Sequence, residues 1–375
     1  MWQPQGFYNQ YVLRTPVILS GKESLRGLYN YPCARIAVIH GSSFTDFELI
    51  KNTFAKREVR FIPRSWHNEP TLDELSATLR ELEELRPDTI VAVGGGSVID
   101  GAKICRLYYE FPYFRQGQNR LSGDGFTTKF IAVPTTIGSG AEVSSAAVFT
   151  DTSNKSKDMI VLHELLPEVV VYDDRYVRNS PKRLIVSCAL DAMGHILEGY
   201  VSNIENGYMD VLAEMAFLIL SNQLTNCIAD EKERTDYSRL QYAGFLGGLI
   251  QNHCIVGATH AVAHQLTSYG YSHSEAVALL LGAVIKLNAR QSSTYEKYLN
   301  IFRRGGFNTI DEFLFFLDRL NEFSGIAGRR IDLIKLLHNQ LEDNDFFSKI
   351  RNDRGGRGNP VAITDDYICE LVRSI

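Results

Sequence analysis

None of the six cysteines pairs with another at CxxC spacing: Cys33, Cys105, Cys188, Cys227, Cys254 and Cys369 are scattered along the chain. That excludes a cysteine-built zinc site and leads to an expectation of reduced thiols in the cytoplasm. No apolar run reaches the roughly eighteen residues of a membrane helix, so no membrane partner is expected. The opening residues, Met1 to Gly6, lack a basic segment followed by an apolar one, so a secretory signal is not expected either. Basic residues never form a run; the densest patch, Arg351 to Arg357, is glycine-rich and reads as a loop. With a formal net charge of −5 and a pI near 6.0, nothing marks a nucleic-acid partner. Internal repeats and low-complexity tracts are also missing. What remains is an ordinary globular composition, 45% hydrophobic and 22% charged, over 375 residues, long enough for two or three domains.

The first half alternates strand and helix signals. Pro16 to Leu19 is a short apolar run closed by Gly21, and Arg35 to Ile39 is a continuous β-branched run of the kind buried on both faces. Phe44 to Phe54 predicts a helix and Glu58 to Pro63 a short strand. From Thr71 to Leu85, leucines at 72, 75, 79, 82 and 85 keep the helical period, with Thr71 as cap and Glu74 three residues on. Thr89 to Val93 and Phe130 to Val133 are further strands. This rhythm predicts a parallel α/β sheet domain over residues 1–179. After Pro181 strand signals almost vanish. Apolar-periodic segments at 182–203, 207–227, 236–252, 256–267, 275–288, 294–304, 309–322 and 330–341 predict an all-α domain over 180–375.

Two loops follow strands and carry small or hydroxyl residues. Gly94 to Lys103 (GGGSVIDGAK) runs from a strand into a helix. Glycines there let backbone approach a diphosphate, and a helix N-terminus offers unpaired N–H groups to an anion. The spacing is not the GxGxxG of the usual dinucleotide fingerprint. Pro134 to Glu142 (PTTIGSGAE) offers the hydroxyls of Thr135, Thr136 and Ser139. In open parallel sheets, ligands bind at the carboxyl ends of strands.

In the helical half, Asp191 and His195 are four residues apart on a helix, so they share one face and can reach one divalent metal. Taken alone, such a pair is more often hydrogen-bonded than ligating. Downstream, however, His260, His264 and His273 fall within fourteen residues. An acid with histidines gives mixed O/N ligation suited to Fe(II) or Zn(II).

These segments together resemble the iron-containing alcohol dehydrogenase family, within the dehydroquinate synthase-like superfamily. The matching motifs are GGGSxxDxAK (Gly94–Lys103), PTTxGxGxE (Pro134–Glu142), DAxxHxxExYxS (Asp191–Ser202) and GxxHAxAHQL (Gly257–Leu266), with Asn359-Pro360, Thr364 and Asp365 in the tail. The resemblance covers nearly the whole chain. It implies an N-terminal Rossmann-like domain and a C-terminal helical domain, with metal and nicotinamide meeting between them. It implies Asp191, His195, His260 and His273 as ligands of Fe(II), or of Zn(II). It implies that His264 matches a histidine near the substrate that does not ligate, and an imidazole there is expected to act as a proton relay. Gly94, Gly95, Gly96, Ser97 and Asp100 fall at the diphosphate turn, Thr135, Thr136 and Ser139 at the nicotinamide half, and Lys157 near the ribose. The implied reaction is hydride transfer between NAD(P)H and a small aldehyde or alcohol, and the family admits a homodimer.

Three departures carry expectations of their own. The family's usual Pro-His-Gly is replaced by Ser272-His273-Ser274, and the loop from His264 to His273 is one residue short. The run SHSEAV resembles the HGEAV of dehydroquinate synthases, which keeps a carbon–oxygen lyase using NAD catalytically as the alternative. A non-catalytic nucleotide-binding relative is the other, opposed by the intact Asp and His positions. Finally, members that prefer NAD place an Asp near the position of Gly41. Here Gly41-Ser42-Ser43 removes its repulsion of a 2′-phosphate, which predicts NADP(H) over NAD(H).

Overall fold

The computed structural model describes residues 15–66, 69–116, 121, 125–151, 156–229 and 234–375, with backbone alone for 116, 151, 156 and 157. Six strands form one parallel sheet: β1 (Val17–Ser20), β2 (Arg35–His40), β3 (Glu58–Pro63), β4 (Thr89–Gly94), β5 (Lys129–Pro134) and, after a hairpin, β8 (Val169–Tyr172). The hairpin is antiparallel, β6 (Ala146–Asp151) with β7 (Ser156–Val161). The sheet order is β1-β8-β5-β4-β2-β3. Val38 lies beside Val91, and Val91 beside Ile131, so branched apolar residues run across adjacent strands.

Both faces of this sheet are covered, which is why its strands read as unbroken apolar runs. On one face Ile36, Val38, Val91, Val93 and Ile131 pack with Ile50 and Phe54, from helix α1 (Phe47–Thr53) and its C-cap. On the other, Ala37, Ile39, Ile90, Ala92 and Phe130 pack with helices α2 (Ser76–Leu85) and α3 (Gly96–Glu110). From β2 the chain runs outward to β3, then returns through β4 to the other side of β2 and on to β5. The direction of winding therefore reverses between β2 and β4, and that is where an open parallel sheet leaves a crevice.

Beyond β8 the chain is helical: α4 (Asp174–Arg178), α5 (Lys182–Val201), α6 (Gly207–Ile228), α7 (Tyr237–Cys254), α8 (Ala258–Leu266), α9 (His273–Asn288), α10 (Ser292–Arg304), α11 (Ile310–Ser324), α12 (Arg330–Asn339), α13 (Asn344–Asn352) and α14 (Asp365–Ser374). Helix α5 is central, packed by α6, α7, α9 and α11, and is buried from Ala189 to Val201. By length and composition α5 and α6 are apolar enough to cross a bilayer, where the sequence pattern predicted no such segment; most of α5 lies inside the protein.

Several local expectations are corrected. Helix α1 starts at Phe47, because Phe44 closes a turn by donating its N–H to the Gly41 carbonyl (3.2 Å). Thr71 and Glu74 do exchange hydrogen bonds, Thr71 N–H to Glu74 Oε2 at 2.9 Å and Glu74 N–H to Thr71 Oγ1 at 3.3 Å. Helix α2 nevertheless begins only at Ser76. Pro70 and Thr71 are bridged to Thr150 of β6, whose N–H donates to the Pro70 carbonyl (2.9 Å), and that bridge holds the segment out of the helix. The hairpin and β8 had not been anticipated.

Candidate metal and nucleotide site

Helix α5 carries Asp191, His195 and Glu198 along one face, one turn apart in succession, and all three are buried. Helix α8 brings His260 against them, and the first residue of α9 brings His273. Asp191 Oδ1 lies 3.8 Å from His195 Nε2, 3.4 Å from His260 Nε2 and 3.5 Å from His273 Nε2. The His195 and His260 rings stack with centroids 4.7 Å apart, and those of His264 and His273 at 5.3 Å. The ligand-type atoms of Asp191, His195 and His260 all lie within 4.8 Å of one another; His273 is a more exposed fourth member beside them.

The orientation of His260 is set from behind. Its Nδ1 lies 2.5 Å from Glu198 Oε2, and Glu198 also accepts the N–H groups of Gly257 (2.9 Å) and Thr259 (2.7 Å) at the start of α8. A proton on Nδ1 leaves Nε2 directed at Asp191, the arrangement that outer partners of ligating histidines enforce. His273 is placed by a capping box in which Ser272 Oγ accepts the Glu275 N–H (3.3 Å) and Glu275 accepts the Ser272 N–H (2.8 Å). A serine before the histidine therefore starts the helix where the family's usual motif has proline. His264 Nδ1 is tied to Asp353 Oδ2 at 2.9 Å, and Asp353 is fixed in turn by the Gly355 N–H (2.8 Å).

These groups perturb one another strongly. Burial would raise the Asp191 carboxyl, but the His195, His273 and His260 rings hold it well below the usual carboxylate range. Burial pushes His195 down to about 4. It would lower His260 as well, but Glu198 and Asp191 reverse that and raise it to about 9. Among the described residues, Asp191 Oδ1, both ring nitrogens of His195 and His260 Nε2 are buried without a hydrogen-bond partner. Each such orphan costs about 1–3 kcal/mol. A divalent cation would take one oxygen of Asp191 and one nitrogen from each of His195 and His260, relieving most of these orphans at once, so the donor set fits a borderline O/N-ligated metal.

The loops expected to hold the nucleotide sit at the sheet's reversal point. Gly41 donates its N–H to the Val93 carbonyl (3.1 Å), joining the Gly41-Ser42-Ser43 turn to the end of β4. Helix α3 starts at Gly96 with no capping side chain and no acid in its first turn. A Cβ on Gly96 would lie 2.7 Å from Ser139 Cβ and Oγ, so the turn and the hydroxyl loop meet backbone to side chain. Thr135 N–H donates to the Gly94 carbonyl (3.0 Å), which brings Thr135 and Thr136 alongside. Gly140, at φ +63°, abuts Gly248 of α7 so closely that a Cβ would fall 2.3 Å from its Cα. Gly138, at φ +134°, likewise abuts α5, where a Cβ would fall 2.2 Å from the Cys188 carbonyl oxygen, so the loop after β5 is pressed onto α7 and onto the helix that carries Asp191 and His195.

One predicted cofactor residue, Asp100, lies otherwise than expected. Asp100 points at the hairpin: its Oδ2 accepts the Val148 N–H (3.2 Å) and Oδ1 lies 3.7 Å from the Lys103 ammonium. Burial pushes this carboxyl up to about 6 against the pull of Lys103. Lys103, fully buried, donates to the carbonyls of Ala141 (2.6 Å), Ser144 (2.8 Å) and Ala146 (2.7 Å). The pair clamps the loop between β5 and β6 and does not face a diphosphate. Lys157 has its backbone in β7, and its side chain lies outside the described residues. The structure also adds groups that had not been singled out: Glu198 and Asp353 behind two histidines, and Arg64, whose Nη1 donates to Ser97 Oγ at 3.2 Å. Glu198 had a signal, since it falls three and seven residues after His195 and Asp191 on an apolar helix.

A cavity of about 240 Å³ opens beside His264, between the hairpin and α8, lined also by Val148, Met159, Gln265 and Asp353. A larger one, about 630 Å³, is lined by Arg178, Thr235 and neighbours and contains none of the histidines or glycine-turn residues.

A parallel sheet whose glycine turn meets a hydroxyl loop that packs on the helix of a buried acid–histidine cluster is the architecture expected of a metal-dependent dehydrogenase. The chain belongs to the iron-containing alcohol dehydrogenase family: residues 16–174 match the model of that description, and residues 185–375 match the family's C-terminal model. It is 28% identical over 291 residues to an alcohol dehydrogenase of Thermococcus barophilus, covering 75% of this chain and 73% of the relative. It is also 28% identical over 301 residues to the NADPH-dependent butanol dehydrogenase of Clostridium saccharobutylicum, covering 76% of each. The structure of an iron-containing alcohol dehydrogenase from Thermococcus thioreducens superposes with a TM-score of 0.86 at 27% identity, over 97% of this chain and 98% of that one. The protein is a metal-dependent oxidoreductase of alcohols or aldehydes that uses a nicotinamide cofactor, and the lyase alternative is not favoured.

Proposed function

We propose that this enzyme reduces small aldehydes with NADPH at a single divalent metal, Fe(II) with Zn(II) as the other candidate, held by Asp191, His195, His260 and His273. The observation that carries this reading is the convergence of three histidine Nε2 atoms within 3.4–3.8 Å of Asp191 Oδ1, in a buried pocket with orphaned polar atoms. When bound, the metal supplies Lewis-acid polarisation of the carbonyl and the nicotinamide supplies the hydride.

The chain's own residues supply placement and protons. Gly94, Gly95, Gly96 and Ser97 cradle the diphosphate at the start of α3. Thr135, Thr136 and Ser139 face the nicotinamide half from the loop that Gly140 presses against α7. Asp353 fixes the Nδ1 side of His264, leaving its other ring nitrogen to pass a proton between the product oxygen and solvent from the wall of the small cavity. The cavity's size suits a substrate of a few carbons. The absence of an acid at Gly41-Ser42-Ser43 favours NADP(H). Residues 1–179 and 180–375 are taken as the two domains, supported by the confinement of every described strand to the stretch before Asp173. The six unpaired cysteines suit a reducing compartment such as the cytoplasm.

The test pairs metal analysis of the purified protein with oxidation of NADPH and NADH against a series of short aldehydes. Stoichiometric Fe or Zn with faster NADPH oxidation is expected. Metal-free protein that turns over at full rate contradicts the reading.

A further inference from the structure

Arg64 is the first residue past β3, and its backbone N–H donates to the carbonyl of His40 at the end of β2 (3.0 Å). Two residues on, Trp66 is 1% exposed and its indole N–H lies 3.1 Å from the Ser97 carbonyl and 3.2 Å from Ser97 Oγ. The Trp66 ring fills the space beside Gly101, where a Cβ would fall 2.1 Å from Cζ2. This anchor fixes the segment after β3 against the first turns of α3. The Arg64 guanidinium then reaches across, Nη1 donating to Ser97 Oγ at 3.2 Å. It is half-buried, and among the described residues no ion pair joins it to a carboxylate, unlike the buried Arg106, which pairs with Glu168. Burial pushes it below its ordinary value with nothing offsetting. A guanidinium removed partly from water with no anion beside it is costly, and a ligand phosphate relieves that cost.

The order of strands says which phosphate. Along the carboxyl edge of the sheet the sequence of ends is β5, β4, β2, β3. The loop after β5 contacts α5, the helix that carries Asp191, where Gly138 abuts the Cys188 carbonyl, so the nicotinamide belongs at that end. The diphosphate turn follows β4. The adenosine half therefore extends over β2 and β3, and neighbouring strands are about 4.8 Å apart, which puts the end of β3 about 10 Å beyond the end of β4. That is the side on which a 2′-phosphate lies. We infer that Arg64 is the residue that receives the 2′-phosphate of NADP(H), held in place by Ser97 and Trp66 and flanked by the acid-free Gly41-Ser42-Ser43 turn. This assignment rests on the reading of Gly94 to Ser97 as the dinucleotide site.

Calorimetric titration of the whole protein with adenosine 2′,5′-bisphosphate and with 5′-AMP separates the contributions. Wild type is expected to prefer the bisphosphate. Arg64→Met, which keeps the length of the side chain without its charge, is expected to lose about tenfold or more of that preference, the scale of one charged hydrogen bond. Its affinity for 5′-AMP should stay near wild type, and Arg64→Lys should retain part of the preference. An undiminished preference in a folded Arg64→Met protein overturns the inference, as does an equal loss for both nucleotides, which would place Arg64 on the 5′-phosphate side. Wild type that binds neither probe overturns the dinucleotide site itself. Wild type that binds both equally overturns the NADP(H) preference, and the assignment of Arg64 with it.

Discussion

His260 Nδ1 lies 2.5 Å from Glu198 Oε2, while Nε2 of the same ring lies 3.4 Å from Asp191 Oδ1, so one imidazole is held between two buried carboxylates. Glu198 orients and Asp191 shares the opposite side. Replacing Glu198 by Gln keeps the volume and removes the charge. Metal affinity should fall about 10–100-fold, the usual cost of losing an outer partner of a ligating histidine. Competition against a chelating indicator measures it, and unchanged affinity in Glu198→Gln would remove Glu198 from the metal's support.

Asp191→Asn and His195→Ala should each lose metal and activity together. Both side chains are buried, and neither ring nitrogen of His195 has another partner among the described residues. Elemental analysis after gel filtration, alongside NADPH oxidation, gives the result. Metal retained at wild-type stoichiometry in both variants would mean that the cluster is only structural.

His264→Ala and Asp353→Asn should behave alike because one positions the other. Metal content stays, and turnover at neutral pH falls about 100-fold or more, the contribution of a positioned proton-transfer group. A pH–rate profile distinguishes this from a packing defect, since loss of a relay flattens the profile as well as lowering it. An Asp353→Asn enzyme with an unaltered rate and profile would detach Asp353 from the reaction.

Lys103 is predicted to matter to folding. Its ammonium satisfies three carbonyls and faces Asp100. Lys103→Met leaves those carbonyls and a buried carboxyl without a cation, and should destabilise the protein by about 3–5 kcal/mol. Denaturant unfolding of the metal-loaded protein checks it; a loss under about 1 kcal/mol, within the range of ordinary surface changes, would contradict the clamp.

Much of this architecture can be read from local pattern. The runs at 35–39, 89–93 and 130–133 are apolar because both sheet faces are covered, and the fourfold spacing of Asp191 and His195 survives as a shared helix face. Glu198 was legible in principle, since a carboxylate on a buried helix stripe needs a partner. The Asp353–His264 contact was not, because 89 residues separate the two and no periodicity links α8 to the end of α13. Asp100 misled for a related reason. Its motif follows the glycine turn, but its side chain is claimed by a strand 48 residues away. Thr71 and Glu74 make the bonds of a helix start without the helix, because a bridge to Thr150 from outside the segment decides the backbone.

The most direct test of the central assignment is metal stoichiometry measured together with NADPH oxidation on a short aldehyde, before and after chelation and after re-addition of Fe(II) or Zn(II). About one metal per chain, loss of oxidation on its removal, and recovery on its return are expected. Full NADPH oxidation by protein stripped of metal would contradict it.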